Sequence, residues 1–358
     1  MGRMTDMIGD VVDVMVAGMP ALIEGPPGSG KTEASADAIR VELANRLGCK
    51  PEEVYYNPVY FAYMDPVDVK GLPDILRDEH GNGRTVWLTP NMFPTTLPEG
   101  YKAVLVNLEE IGNSNRALHF CLYEILASNT INGVPINDNV YIVGTSNRKI
   151  DGCGVTKFPA AMRDRFANFE WLVDIEDWKV WAANNGIHYK WIAMMNYLSH
   201  FITEFDAKLA EESKTSSARS VTKAARCYEK NNYDKLMSSG MPKDEAKVMR
   251  VLTSYIGEVD AAQAVGFLKL FEELVPISSI IEDPAGADIP IGMDVLYALT
   301  AALARKANED NIKEILEYID RDEFPGTFSS IFGVDLPRIN KNGAESTSEF
   351  RDWVIKNG

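Results

Sequence analysis

Short apolar runs alternate with longer amphipathic stretches over the first half of the chain, and beyond about Ile175 only helical spacing remains. Ala21 to Glu24 is a short apolar run that ends in a glycine-rich loop, Gly25-Pro26-Pro27-Gly28-Ser29-Gly30. Lys31 to Leu47 then places Ala, Ile and Val on one helical face. Val54 to Tyr63 is rich in Val, Tyr and Phe and predicts an extended segment. Ala103 to Leu108, Val140 to Gly144 and Ala167 to Leu172 predict three more strands. Ser114 to Ser128 carries apolar residues at 118, 121, 122, 125 and 126, one face of a helix. The Asn132-Gly133 pair between Ile131 and Val134 favours a tight hairpin. Asp65 to about Gly100 is rich in Pro and Gly and reads as a loop-rich insertion. Strands that alternate with helices predict an α/β fold with a mainly parallel sheet covered on both faces.

The second half reads as helices throughout. Ile175 to Asn185, Tyr189 to Ala210, Ser220 to Glu229, Pro242 to Ile256 and Asp260 to Leu274 suit helices, as do Met293 to Lys306 and Asn308 to Tyr318. Pro276 to Ile291 reads as a Pro-rich connection, and a mixed tail follows Tyr318. A chain of 358 residues exceeds one ordinary core. The expected division is an αβα domain over 1–174, a helical domain over 175–275 and a helical extension over 276–358.

Composition narrows the function classes. The net charge is −16, from 36 basic and 52 acidic residues. Such a surface repels phosphate backbones at long range and counts against nucleic acid as the main substrate. No run of twenty apolar residues is present, so no transmembrane helix is expected. Asp6, Asp10 and Asp13 interrupt the apolar residues of the N-terminus, which therefore suits an amphipathic helix rather than a signal peptide. Cys49, Cys121, Cys153 and Cys227 are widely spaced, and free thiols are expected. His80, His119, His188 and His200 show no metal-ligand spacing. Trp178, Trp181, Tyr189 and Trp191 read as a packing stripe.

The chemistry concentrates in four phrases. Gly25 to Thr32, G-P-P-G-S-G-K-T, fits the phosphate-loop pattern in full and lies between an expected strand and an expected helix. Its glycines let backbone N–H groups face phosphate oxygens, and the following helix adds its positive end. Lys31 reaches the β and γ phosphates of ATP, and Thr32 offers its hydroxyl to magnesium. Val104 to Gly112, V-L-V-N-L-E-E-I-G, ends in two carboxylates. Alone this is a solvated strand end. Beside a phosphate loop, Glu109 suits the metal role and Glu110 the role of base for the attacking water. Asn107 falls on the buried strand and needs hydrogen-bond partners. Gly144 to Asn147, G-T-S-N, closes the fourth strand, where Asn147 could orient the water or simply form a turn. Phe158 to Phe166, F-P-A-A-M-R-D-R-F, places Arg163 and Arg165 at the end of a short helix. Either arginine could serve a neighbouring subunit's nucleotide or a surface ion pair.

In this order and spacing, the four phrases resemble an AAA+ ATPase. More narrowly they resemble the MoxR-type, dynein-related branch found in bacteria and their phages. D-P-V-D-V-K-G-L-P from Asp65, G-R-T-V-W-L-T-P from Gly83, D-N-V-Y-I-V-G-T-S-N-R from Asp138, D-W-K-V-W-A-A-N-N-G-I-H from Asp177, S-A-R-S-V from Ser217 and D-V-L-Y-A-L-T-A-A-L-A from Asp294 extend the likeness over nearly the whole chain. The resemblance implies a P-loop NTPase αβα sandwich with strand order 5-1-4-3-2, followed by a helical lid. It implies Walker A at Gly25–Thr32, Walker B at Glu109 and Glu110, sensor 1 at Asn147 and sensor 2 at Arg219. It implies an arginine finger at Arg165, with Arg163 as second candidate. The Asp65–Pro90 insertion and the Ile131–Gly133 hairpin resemble pore-facing insertions. ATP and Mg2+ are the implied cofactors. A homo-oligomeric ring, usually a hexamer, is the implied assembly, in the bacterial or phage-infected cytoplasm. A protein client, in many relatives a von Willebrand factor A-type protein, is the implied partner. The chain departs from the family in Walker B, where Glu109 replaces Asp and Asn107 replaces an apolar residue.

Three functions follow in order of fit. The first is an ATP-hydrolysing ring that remodels a protein. The second is a nucleotide-dependent scaffold that hydrolyses slowly, suggested by the altered Walker B. The third is a DNA-acting motor, against which the acidic charge and the lack of a basic cluster count.

Overall fold

The computed structural model describes residues 4–152, 154, 159–340 and 343–357. Cys153 and Phe158, singled out in the sequence, lie outside the described residues, as do Met1 to Arg3. The chain forms two compact units, one ending at Val173 and taking in Asp206–Lys208, the other comprising Asp174–Phe205 and Leu209 onward.

The first unit begins with helix α1 (Met4–Val16), strand β1 (Ala21–Gly25), helix α2 (Lys31–Ala34), a π turn at Ser35–Ile39 and helix α3 (Arg40–Arg46). One unbroken helix was expected from Lys31. The widened turn starts where the Ser35 hydroxyl donates to the Lys31 carbonyl at 3.0 Å, a local bond that competes with the helical ladder. Strand β2 (Val54–Tyr60) follows, then α4 (Pro66–Lys70) and the strands β3 (Leu72–Arg77) and β4 (Gly83–Leu88). The last three lie in the stretch expected to be loop. β3 and β4 pair antiparallel from Leu72–Leu88 to Arg77–Gly83. Almost all of their residues are exposed, so neither strand carries the alternation that marks a half-buried one. The Asp78 carboxylate shapes their turn by accepting from the N–H groups of His80 and Asn82.

Next come β5 (Ala103–Glu109), α5 (Arg116–Ser128), the small hairpin β6 (Thr130–Ile131) and β7 (Val134–Pro135), β8 (Val140–Asn147), α6 (Ala160–Arg163) and β9 (Ala167–Glu170). The Asn-Gly hairpin forms as expected, with Asn132 and Gly133 both at positive φ. Five strands pair in parallel in the order β2-β5-β8-β1-β9. Counted along the chain as sheet strands one to five, that is 5-1-4-3-2, the order the resemblance implied. The fold is a P-loop NTPase αβα sandwich.

β5 is buried along its whole length. Its alternate residues enter two cores. Val104, Val106 and Leu108 pack with Leu118, Leu122 and Ile125 of α5. Ala103 and Leu105 pack with Val11, Val12 and Met15 of α1 and with Ile39 and Leu43. Asn107 and Glu109 continue this second row toward the carboxyl end of the sheet, where α/β sheets place their ligands. A side-chain period of two therefore carries a polar pair onto a face whose lower half is apolar.

The second unit is helical. It contains α7 (Ile175–Asn184), α8 (Tyr189–Tyr197), α9 (His200–Thr203), most of α10 (Ala207–Glu212), α11 (Ala218–Lys230), α12 (Tyr233–Met237), α13 (Pro242–Ile256), α14 (Glu258–Leu270), α15 (Ile277–Glu282), α16 (Met293–Lys306), α17 (Ile312–Ile319), α18 (Gly326–Ile339) and α19 (Ser348–Asn357). The single helix expected over Tyr189–Ala210 is three pieces, because Leu198 and Glu204 leave helical geometry. The Asp206 carboxylate then accepts from the Lys208 N–H and starts the third piece. The Pro-rich connection contains α15, and the mixed tail is largely α18 and α19. In α17, Ile312, Ile315, Leu316 and Ile319 are buried at the spacing of one helical face. Among the described residues, no helix is long and apolar enough to cross a membrane. Cys49, Cys121 and Cys227 are free thiols.

Candidate functional site

The loop after β1 is shaped by its glycines and by one tryptophan. Gly28 and Gly30 have φ of 72° and 89°, a region that side chains with a Cβ avoid. Gly25 meets a different limit. A methyl group there would come within 2.4 Å of the Trp171 carbonyl oxygen. Trp171 holds both ends of the loop: its N–H donates to the Glu24 carbonyl at 2.7 Å, and its indole Nε1–H donates to the Ser29 carbonyl at 3.0 Å. The indole is 1% exposed, so the loop rests on a fixed apolar surface.

Lys31 opens α2 and is buried. Its ammonium donates to the carbonyls of Gly25 at 2.9 Å and Pro26 at 2.7 Å, and to the Asn147 Oδ1 at 3.2 Å. The lysine of the loop and the amide that closes β8 thus converge. Parallel pairing brings them together, since Gly25 stands opposite Asn147 in the register.

The next residue reaches the acidic strand end. The Thr32 hydroxyl donates to the Glu109 Oε2 at 2.8 Å, and the Thr145 hydroxyl donates to the same oxygen at 3.0 Å. The other oxygen, Oε1, accepts from the Asn107 Nδ2 at 2.6 Å and lies 3.5 Å from the Tyr56 hydroxyl. Asn107 Nδ2 also donates to the Tyr56 oxygen at 2.9 Å. Here are the partners that the buried asparagine required, though its Oδ1 has none. Burial is the largest influence on Glu109 and pushes its carboxyl above the ordinary range, while the two threonine hydroxyls pull it down. Burial also pushes the Tyr56 phenol up to about 12, so it remains protonated near neutrality.

The donor set fits a magnesium nucleotide. A hydroxyl and a carboxylate sit 2.8 Å apart at the start of the phosphate-loop helix, and magnesium sites of this kind combine one or two carboxylates with phosphate oxygens. Glu110 points elsewhere. It is exposed, with φ 53° and ψ 36°, and turns the chain from β5 into a short 3-10 turn at Ile111–Asn113. That turn is pinned from behind. The Ile111 carbonyl accepts from the Ser114 hydroxyl at 2.7 Å and lies 3.1 Å from the His119 Nε2.

The two arginines at the end of α6 differ in their surroundings. Arg163 makes a two-pronged ion pair with Glu24, at 2.9 and 3.1 Å. Arg165 donates to the Ala161 carbonyl, and its guanidinium stands 5.0 Å from the centre of the Tyr123 ring. Arg219 lies in the helical unit, exposed on the first turn of α11.

Tyr56, Thr145 and Trp171 were not singled out in the sequence. Thr145 lay inside the quoted G-T-S-N phrase, two residues before Asn147, and a period of two puts it on the same face. Tyr56 and Trp171 carry no local signal; only the pairing of the strands brings them in.

No family model matches the chain, and no curated protein matches it. Solved structures do align with it. The RuvB Holliday junction branch migration motor of Thermotoga maritima aligns at 14% identity over 100% of this chain and 88% of its own, with a TM-score of 0.33. A DNA polymerase III gamma subunit-related protein of Thermotoga maritima aligns at 13% over 99% of both chains, with a TM-score of 0.39. NtrX from Brucella abortus in complex with ATP aligns at 12% over 75% of this chain and 68% of its own, with a TM-score of 0.34. The sheet order and the loop geometry, not these alignments, define the fold.

Proposed function

We propose that the chain is an AAA+ ATPase of the MoxR type, working as an oligomeric ring in the bacterial or phage-infected cytoplasm to remodel a protein client. The observation that carries this reading is the convergence of Lys31 with Asn147 and of Thr32 with Glu109 around one phosphate loop. The backbone N–H groups of Gly25 to Gly30 and the Lys31 ammonium would hold the phosphates of ATP. Thr32 and Glu109 would hold magnesium, which neutralises phosphate charge when bound. Glu110 would take the proton of the attacking water, and Asn147 would orient that water. Arg165 would reach the nucleotide of a neighbouring subunit, and Arg219 would touch the nucleotide from the lid. The exposed β3–β4 hairpin, with Leu72, Ile75, Leu76, Trp87 and Leu88 on its surface, would meet the client in the ring's pore.

The test is nucleotide binding and phosphate release by the purified chain with magnesium. Unchanged chain is expected to do both. Lys31→Ala is expected to weaken nucleotide binding on the order of a hundredfold, the worth of about 3 kcal/mol of charge-assisted hydrogen bonding. Absence of nucleotide binding in the unchanged chain would overturn the reading.

A second reading, a ring that binds ATP and hydrolyses it slowly as an assembly switch, draws on the same carboxylate. Four side chains crowd Glu109, where the family has Asp and an apolar neighbour. Turnover by Glu109→Asp separates the two. A gain of about tenfold or more supports the slow switch, and an unchanged or lower rate supports the remodelling motor.

A further inference from the structure

The Glu109 carboxylate divides its two oxygens between two sets of partners. Oε2 faces the phosphate-loop helix through Thr32 and is shared with Thr145. Oε1 faces the opposite way, toward Asn107 and Tyr56. Neither of these two residues belongs to the phosphate loop, and both lie within hydrogen-bond distance of this one oxygen.

Asn107 is fully buried on a strand whose positions before it are all apolar and which is polar beyond it only at Glu109. Its amide has two hydrogens, and both are used: one bonds Glu109, the other the Tyr56 oxygen. Its carbonyl oxygen is left with no partner. A buried acceptor without a donor costs about 1–3 kcal/mol. Turning the amide over would not remove this penalty, because it would set the carbonyl against the Glu109 carboxylate and move the N–H groups to the side where the oxygen now finds no partner. The arrangement therefore sacrifices one buried acceptor so that two donors point at Glu109 and Tyr56. An apolar side chain would fill the position without that penalty. Something other than packing accounts for the asparagine.

Reach supplies the account. A glutamate has one more methylene than an aspartate, and one more rotatable bond. Unsupported, its carboxylate could swing away from Thr32. With Oε1 anchored by Asn107 and Tyr56, Oε2 is left facing the Thr32 hydroxyl. An aspartate at the same place, about 1.5 Å shorter, would fall short of that anchor.

We infer that Asn107 and Tyr56 are positioning residues for magnesium: they fix the Glu109 carboxylate so that its Oε2 completes the metal site with Thr32. The inference rests on the reading of the loop as a magnesium-nucleotide site. Both act through the Glu109 carboxylate.

The test measures the magnesium concentration that half-saturates metal-dependent binding of a fluorescent ATP analogue, together with binding of the same analogue in EDTA and the thermal midpoint. Outer residues that orient a ligand change metal affinity by about 10–100-fold when altered. Asn107→Leu is expected to raise the half-saturating magnesium about tenfold, and Tyr56→Phe about threefold. EDTA binding should not move in either. Because Asn107→Leu also removes the unpaired oxygen, its thermal midpoint should hold or rise. In a Glu109→Asp background, whose carboxylate no longer reaches the anchor, Asn107→Leu should shift the magnesium requirement less than about twofold. Should Asn107→Leu fail to fold, Tyr56→Phe alone and with Glu109→Asp carries the same comparison. Equal shifts in both backgrounds, no shift in either single variant, or equal losses with and without magnesium would each overturn the inference. Failure of the unchanged chain to bind the analogue at all would instead overturn the site reading beneath it.

Discussion

Glu110→Gln is expected to bind ATP as tightly as the unchanged chain and to lose turnover by about 10²–10⁴-fold, the usual worth of a positioned general base. Glu110 is one of four non-glycine residues at positive φ among those described, and the other three are asparagines. Asparagine tolerates that region; glutamate does so at a cost of about 1–3 kcal/mol. The strain is held by the Ile111–Asn113 turn, anchored through Ser114 and His119. Its effect is to separate two neighbouring carboxylates. Glu109 stays buried among Thr32, Thr145, Asn107 and Tyr56, whereas Glu110 is exposed and has no part in that cluster. The amide of glutamine keeps the size and the backbone but cannot take a proton. The variant should therefore accumulate bound ATP, measurable by filter binding, while phosphate release in a single turnover nearly stops. Turnover within about threefold of the unchanged chain would remove Glu110 from the role of base. The trapped form should also retain its client, so a pull-down with it would identify that partner.

Much of this was legible in the sequence because it is local. The phosphate loop is a contiguous run, so Gly25 to Thr32 could be read without any fold. Glu109 and Glu110 were legible as a pair for the same reason. The sandwich followed from strands alternating with helices, each with its own period. What the sequence hid is what strand pairing creates. Tyr56 lies 51 positions before Asn107, and Thr145 36 positions after Glu109. Trp171 is 142 positions from Ser29. No window along the chain contains these partners. The β3–β4 hairpin was hidden for the opposite reason: both its faces are wet, and a strand without a buried face has no period to read. The long helix expected over Tyr189–Ala210 failed through breaks at Leu198 and Glu204, neither of which is a glycine or a proline. Asn107 was visible as an oddity, yet its meaning needed the geometry around Glu109.

The largest loss is expected at Arg165. Arg165→Ala should bind ATP normally and lose hydrolysis by about 10³–10⁵-fold in the assembled ring, the range for removal of an arginine supplied across a subunit boundary. Arg163 is the rival, and the structure separates the two. Arg163 is paired with Glu24 through two parallel hydrogen bonds, on the strand that delivers its own chain's phosphate loop. An arginine in a two-pronged pair gives up that pair before it can serve another nucleotide. Arg165 has no carboxylate partner among the described contacts. It donates to the Ala161 carbonyl and packs over Tyr123, an arrangement it can leave more cheaply. Arg163→Ala is therefore expected to act within its own chain, loosening β1 rather than removing charge from the transition state. Mixing subunits distinguishes action in the same chain from action across the boundary. Arg165→Ala retains Glu110, and Glu110→Gln retains Arg165. Each alone should be inactive, but a mixed ring contains boundaries where an intact base meets an intact arginine. Phosphate release should reappear on mixing, passing through a maximum near equal proportions. If Arg165→Ala hydrolyses normally while Arg163→Ala complements Glu110→Gln instead, the roles of the two arginines are exchanged. If neither mixture recovers activity, neither arginine acts across a subunit boundary.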